Sequence, residues 1–305
     1  MLSLENIAKA SRVVDPVFLN SPQYVSDGLS ERLGMRLLVK IECLNPIRSF
    51  KGRGTDFFLH QLGDCDGPLV TASAGNFGQG LAYAARRRGI EVIVYAAETA
   101  NPKKVARMQQ LGATTRLAGD DFDAAKEIAR SFAASSGLRF VEDGREPAIA
   151  EGAGTIGVEL LARGEPIDVL LIPVGNGALI SGVGAWVKAH RPSTRIIGVV
   201  AETAPSMLLS WRAGEVVTTA TAATIADGVA VRLPVPQVLP LMRDVVDDML
   251  AVPEAAIHLA MQRIQDEVGV VAEGAGALAL AAAEQLKDTL RGQCVVAPIC
   301  GSNVF

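Results

Sequence analysis

Asn45-Pro46-Ile47-Arg48-Ser49-Phe50-Lys51-Gly52-Arg53-Gly54 is the stretch around which the chain is organised. The alternating apolar run at 37–42 precedes it and reads as a strand. Pro46 breaks that strand, because proline donates no hydrogen bond to a sheet ladder. Ser49 has the side chain of an N-cap, and the pattern predicts a helix over 50–62. Lys51 then sits in the first helical turn, where the positive end of the macrodipole disfavours a protonated amine. An amine that yields its proton readily is what a Schiff-base lysine requires.

With 305 residues the chain can bury a large core, divided between two domains. Hydrophobic residues make up 49% and charged residues 20%, the balance of a soluble globular protein. The 30 glycines suit tight strand-to-helix turns. Net charge is -4, and the only basic tract, Arg86-Arg87-Arg88, precedes Gly89 at a helix end, where cations complement the dipole. Binding to nucleic acid or to a membrane surface is therefore not expected. Cys43, Cys65, Cys294 and Cys300 show no metal or redox spacing and fit a reduced, cytoplasmic protein. Residues 1–10 carry Glu5 and lack a long apolar core, so they are not read as a signal peptide. His60, His190 and His258 have no partners at ligand spacing, and no metal is expected.

Residues 1–36 read as an arm and a helix, with Pro16 and Pro22 marking irregular entry. Strand and helix patterns then alternate, which argues for parallel sheets covered by helices. Strands are expected at 69–73, 92–96, 114–117, 139–141, 169–174, 196–201, 249–252 and 294–298. Helices are expected at 78–88, 102–111, 122–134, 147–162, 254–267 and 275–290. The block 65–145 is expected to be a small domain, with 1–64 and 146–305 forming a large one.

Two turns lead from a strand into a helix. They are Ser73-Ala74-Gly75-Asn76-Phe77-Gly78 and Gly175-Asn176-Gly177-Ala178-Leu179. Each sets small residues and free N–H groups at a helix start, which is a ready anion site. A dinucleotide fingerprint needs a third glycine where Ile180 stands, so a nicotinamide dehydrogenase has little support.

Ser49-Phe50-Lys51-Gly52-Arg53-Gly54 resembles the cofactor-lysine motif of the fold-type II pyridoxal-phosphate enzymes. That family includes threonine dehydratase, serine racemase, threonine synthase and cysteine synthase, and the match runs from about residue 37 to the last residues. The resemblance implies an α/β fold of two domains, each a mostly parallel twisted sheet covered by helices, as in the tryptophan synthase β-like architecture. It implies pyridoxal 5'-phosphate on Lys51, with Phe50 beside the pyridine ring. The first turn is similar to the family's Ser-x-Gly-Asn-His-x-Gln loop. By that likeness Asn76 contacts the cofactor's phenolic oxygen, and Ser73, Ala74, Gly75, Asn76 and Phe77 hold the substrate carboxylate. Phe77 departs from the usual histidine. The second turn resembles a four-glycine phosphate loop in which Gly175 and Gly177 are kept and Asn176 and Ala178 replace glycines. Asparagine tolerates positive φ and alanine suits a helix start, so Gly175, Asn176, Gly177, Ala178 and Leu179 still form a cradle. Cys300-Gly301-Ser302-Asn303 resembles the Ser-Gly-Gly-Asn that lies by the pyridine nitrogen. Asp227-Gly228 and Glu273-Gly274-Ala275-Gly276 read as turns whose acids are hydrogen-bonded rather than catalytic. The family's divalent-cation pattern is matched by Glu202 and broken at Leu208.

The reaction implied is elimination and deamination of a hydroxy amino acid, serine or threonine, by a homodimeric lyase. Racemase, threonine synthase and β-replacement activities on the same fold are the alternatives. Asn45-Pro46 is similar to the synthase version of the lysine motif. Arg48 and Arg232 are the cations available for a second substrate carboxylate.

Overall fold

A computed structural model describes residues 1–73 and 75–304. Ala74, expected at the substrate carboxylate, lies outside the described residues. The alternating patterns resolve into two sheets. The larger holds β1 (Gln23–Val25), β2 (Arg36–Ile41), β7 (Val169–Pro173), β8 (Arg195–Ala201), β9 (Asp248–Val252) and β10 (Cys294–Ile299). The smaller holds β3 (Leu69–Ala72), β4 (Val92–Ala96), β5 (Thr114–Leu117) and β6 (Arg139–Phe140). Their orders are β1-β2-β10-β7-β8-β9 and β5-β4-β3-β6. Every pairing is parallel except β1 with β2, which sets Tyr24 opposite Val39. Every residue of β7 and β10 is buried, which is why both read as unbroken apolar runs.

Helices cover both sheets: α1 (Leu4–Val13), α2 (Asp27–Leu33), α3 (Lys51–Leu62), α4 (Asn76–Arg86), α5 (Pro102–Gln110) and α6 (Phe122–Ser135). They continue as α7 (Pro147–Ala153), α8 (Thr155–Ala162), α9 (Ala178–His190), α10 (Ser206–Ala213), α11 (Val238–Arg243), α12 (Glu254–Arg263) and α13 (Gly274–Gln285). The alanine-rich α13 is buried along most of its length in the core between β2, β7, β10 and α12. An all-round apolar helix of this kind needs cover on every side. Among the described residues no helix is long and apolar enough to cross a membrane.

Three expectations change. The helix expected over 147–162 is two helices that part at Gly154. A β-carbon at Gly154 would stand 2.9 Å from Gly182 O, so the break lets two backbones meet. The arm of residues 1–36 is two helices and the antiparallel edge strand β1. Ser49 does not cap a helix. The helix starts at Lys51, its cap position is Phe50, and the buried Ser49 Oγ has no partner. Backbone pairing with the end of β10 claims this stretch instead. Phe50 N donates to Cys300 O (3.1 Å) and Ser302 N to Arg48 O (2.9 Å). Asn45 shapes the turn, accepting from Ile47 N (3.1 Å) and donating to Glu42 O (2.8 Å) and Ser49 O (3.0 Å).

The third residue of α3 supplies the motif's anchor. Arg53 is 0% exposed and forks onto Glu42 at 2.7 and 2.9 Å and onto Glu159 at 2.6 and 2.9 Å. Lys40 reaches the same Glu159 at 2.5 Å. Burial alone would raise the Glu159 carboxyl. Hydrogen bonds and charge from Arg53, with Lys40, bring it below its ordinary value instead.

Removing one member of a buried ion cluster strands the rest. Arg53→Met is expected to cost about 3–5 kcal/mol in equilibrium unfolding. A depressed carboxyl stabilises the fold at pH values above its unfolded value, about 4.3, and loses that contribution as pH falls through the folded value. Glu159→Gln should therefore weaken the protein at pH 7 and flatten its loss of stability on acidification, read by urea unfolding at several pH values.

Candidate active site

The loops that follow β3, β6, β7 and β10 converge at the carboxyl ends of their parallel strands, where open α/β sheets place their crevices. They enclose a cavity of about 540 Å³. Phe50, Lys51, Ser73, Asn76 and Phe77 line it. So do Gly175, Asn176, Gly177, Ala178, Leu179 and Cys300. Gly75 is not on the wall. Residues from Phe50 to Cys300 are thus gathered at one place.

Lys51 is the first residue of α3, its side chain 13% exposed. Its Nζ stands 4.7 Å above the Phe50 ring and donates to Asp143 Oδ2 at 2.6 Å. The helix dipole is therefore not the whole environment of this amine, because a carboxylate touches it. Gly80 lets α4 cross close by, since a β-carbon there would be 3.3 Å from Lys51 Cβ. Lys126 also lines the cavity, but it sits mid-helix beside Asp123 (3.7 Å) and Glu142 (3.5 Å).

In the first turn Ser73 Oγ accepts from Gly75 N (3.2 Å) and Gly78 N (2.9 Å). The Gly75 N–H is thereby engaged within the turn. Asn76 donates to Glu273 Oε1 (2.6 Å) and accepts from Asn303 Nδ2 (2.7 Å). Asn303 N closes the web on Glu273 Oε2 at 2.8 Å. Burial raises the Glu273 carboxyl, and these hydrogen bonds only partly offset it. Glu273 is hydrogen-bonded as expected, and it forms part of the cavity wall.

In the second turn Gly177 is left-handed, with φ +79°. A β-carbon on Gly175 would stand 2.7 Å from Gly228 O, and one on Gly144 would stand 2.7 Å from Asn176 O. The turn is thus clamped between two loops. Among the described residues, the N–H groups of Asn176, Gly177, Ala178 and Leu179 find no protein acceptor. Four unanswered donors at a helix start suit a phosphate. A primary amine, a phenyl ring and an anion cradle on one cavity fit the aldehyde, ring and phosphate of pyridoxal phosphate.

Cys300 is buried, its Sγ 3.5 Å from Ala275 O, and burial pushes the thiol well above its usual range. Arg232 lines the cavity but is bound to Asp123 at 2.7 Å, and Arg48 is not on the wall. His60 and His190 are exposed and stack on Phe57 and Trp186. The acids of the 142–143 loop and of α6 were missed in the sequence. Glu142-Asp143-Gly144 signals only a turn.

The chain belongs to the pyridoxal-phosphate dependent enzymes, whose family model matches residues 14–301. It is 36% identical to the L-threonine ammonia-lyase of Thermotoga maritima over 306 residues, covering 100% of this chain and 76% of that one. The L-threonine ammonia-lyase of Geobacter sulfurreducens is 34% identical over 92% of this chain and 70% of its own. Among solved structures, a processed threonine deaminase isoform 2 from Solanum lycopersicum superposes with a TM-score of 0.90 at 31% identity, over 99% of this chain and 91% of that one. Maize serine racemase superposes at 0.93 and 28% identity, over 100% and 94%.

Thiolates, not thiols, react with alkylating reagents. Burial pushes Cys43 up to about 11 and also raises Cys294. Native protein at pH 8 should therefore be alkylated at the half-buried Cys65 alone, and denatured protein at all four, as read by peptide mass mapping.

Proposed function

We propose that this protein is a pyridoxal-phosphate-dependent ammonia-lyase that converts L-threonine or L-serine to a 2-oxo acid and ammonia. The likeness to L-threonine ammonia-lyases over 92–100% of this chain carries the reading. Lys51 carries the cofactor through Nζ, Phe50 lies beside the ring, and the turn 175–179 takes the phosphate. The cavity between the two sheets is then the meeting of a large cofactor domain, 1–64 and 146–305, with a small one, 65–145. In the cell the enzyme is a cytoplasmic homodimer.

Bound there, pyridoxal phosphate supplies an electron sink for the pair left when the α-proton is removed. The chain's own residues do the rest. Ser73, Asn76 and Phe77 hold the substrate carboxylate, with Ala74 beside Ser73 in the chain, while Gly75, whose N–H is taken by Ser73 Oγ, shapes the turn. Lys51 Nζ would be the base that takes the α-proton of a substrate held there. Asn76, held by Glu273 and Asn303, would meet the cofactor's phenolic oxygen. Cys300, buried on the wall, would meet the ring nitrogen as a neutral thiol, a weak donor that would leave the ring a mild sink. A mild sink suits elimination.

The superposition on maize serine racemase favours racemisation as a second reading. Inversion needs an acid on the face of the substrate opposite Lys51. Family racemases resemble one another in carrying a serine where Ala74 stands, and alanine has no proton to give. An unpositioned donor forfeits much of the ~10²–10⁴-fold that general acid catalysis supplies. Oxo acid should form from L-serine or L-threonine well above any inversion, followed by an oxo-acid assay beside chiral chromatography of the residual substrate. Rapid loss of optical purity with little oxo acid would replace this reading with the second.

A further inference from the structure

Asp143 differs from every other acid on the cavity wall. Glu142 is neutralised by Lys126, Arg130 and Arg145, and Asp123 by Arg232 and Lys126. Asp121 stands 3.9 Å from Arg232, Asp227 pairs with Lys104, and Glu273 is held by Asn76 and Asn303. Asp143 has one charge partner among the described residues, and that partner is the amine of Lys51 at 2.6 Å. Its second oxygen, Oδ1, is buried without a partner, and the side chain is only 11% exposed on the cavity wall. An unsatisfied carboxylate oxygen of this kind is costly unless something binds it. The position is also fixed. Gly144 turns at φ +87° hard against Asn176 O, so the Asp143 loop rests on the second turn.

We propose that Asp143 is a catalytic residue that binds the β-hydroxyl of the substrate and delivers the proton with which it leaves. The inference rests on the lyase reading above. Lys51 takes the α-proton, and the electron pair of the Cα–H bond becomes the Cα=Cβ bond. The Cβ–O bond breaks with its pair on oxygen. The proton passes from Nζ across the 2.6 Å contact to the Asp143 carboxyl and on to the departing oxygen, which leaves as water. The proton taken from Cα is the proton given to oxygen, so the step needs no outside acid. Oδ2, the oxygen that Nζ reaches, also meets the hydroxyl, so the proton arrives where the leaving oxygen stands, and the site selects substrates whose β-substituent can donate a hydrogen bond.

The test compares leaving groups on the holoenzyme. Hydroxide must be protonated as it leaves, whereas chloride departs unaided. Asp143→Asn keeps shape and removes the acid. With L-threonine or L-serine its kcat should fall by about 10²-fold or more, the share that general acid catalysis supplies. With β-chloro-L-alanine it should change by less than about tenfold. Visible absorbance of the bound cofactor should match wild type, which separates a proton-transfer role from failed loading or misfolding. Asp143→Ala should behave likewise, with KM for the hydroxy substrates raised. Equal losses on both leaving groups, loss of cofactor absorbance, or no loss on the hydroxy substrates would overturn the assignment. A wild-type enzyme that releases oxo acid from β-chloro-L-alanine and none from the hydroxy amino acids would overturn the lyase reading itself.

Discussion

The buried fork of Arg53 onto Glu42 and Glu159 is the constraint on which the site depends. It joins three elements at one point: the end of β2, the first turn of α3, and α8. Arginine suits this place because its planar guanidinium answers two carboxylates at once and stays charged when dry. Lys51 lies two residues before Arg53 on the same short helix. Once Arg53 is locked, the direction of the Lys51 side chain is set to within the freedom of its own rotamers.

The rest of the wall is brought to Lys51 by close backbone approaches. A parallel sheet sends its strand-following loops to one edge, so the turns after β7 and β10 arrive together, and the turn after β3 of the smaller sheet meets them across the cavity. How near they come is decided by glycine. Gly80 lets α4 pass Lys51, Gly175 meets the Gly228 carbonyl, and Gly144 meets the Asn176 carbonyl. At each place a methyl group would force two elements apart. A web of Asn76, Glu273 and Asn303 then ties the first turn to the start of α13 and the chain end.

Much of this was legible in the sequence because it is local. The strand Val92–Ala96 falls where its apolar run sets it, and Thr114–Leu117 where the alternation of strands and helices calls for a strand. The lysine motif and both glycine turns sit on the cavity because strand-to-helix turns in parallel sheets can go nowhere else. The parts that were missed are set by tertiary contact. Ser49 reads as a cap, but pairing with the end of β10 uses its backbone first. The helix over 147–162 shows no break until Gly182 is seen packed against Gly154. Asp143 is 92 residues from Lys51, and nothing in a Glu-Asp-Gly turn says which amine it will face.

The central claim is that one lysine of this chain bears the cofactor. Two lysines, Lys51 and Lys126, line the cavity, which makes the claim sharp. Borohydride reduction of the coloured protein fixes the cofactor to its lysine, and peptide mass mapping then locates it. The account predicts a single labelled peptide containing Lys51, with Lys126 unmodified. A label on Lys126, or a colourless protein that takes up no label, would contradict it.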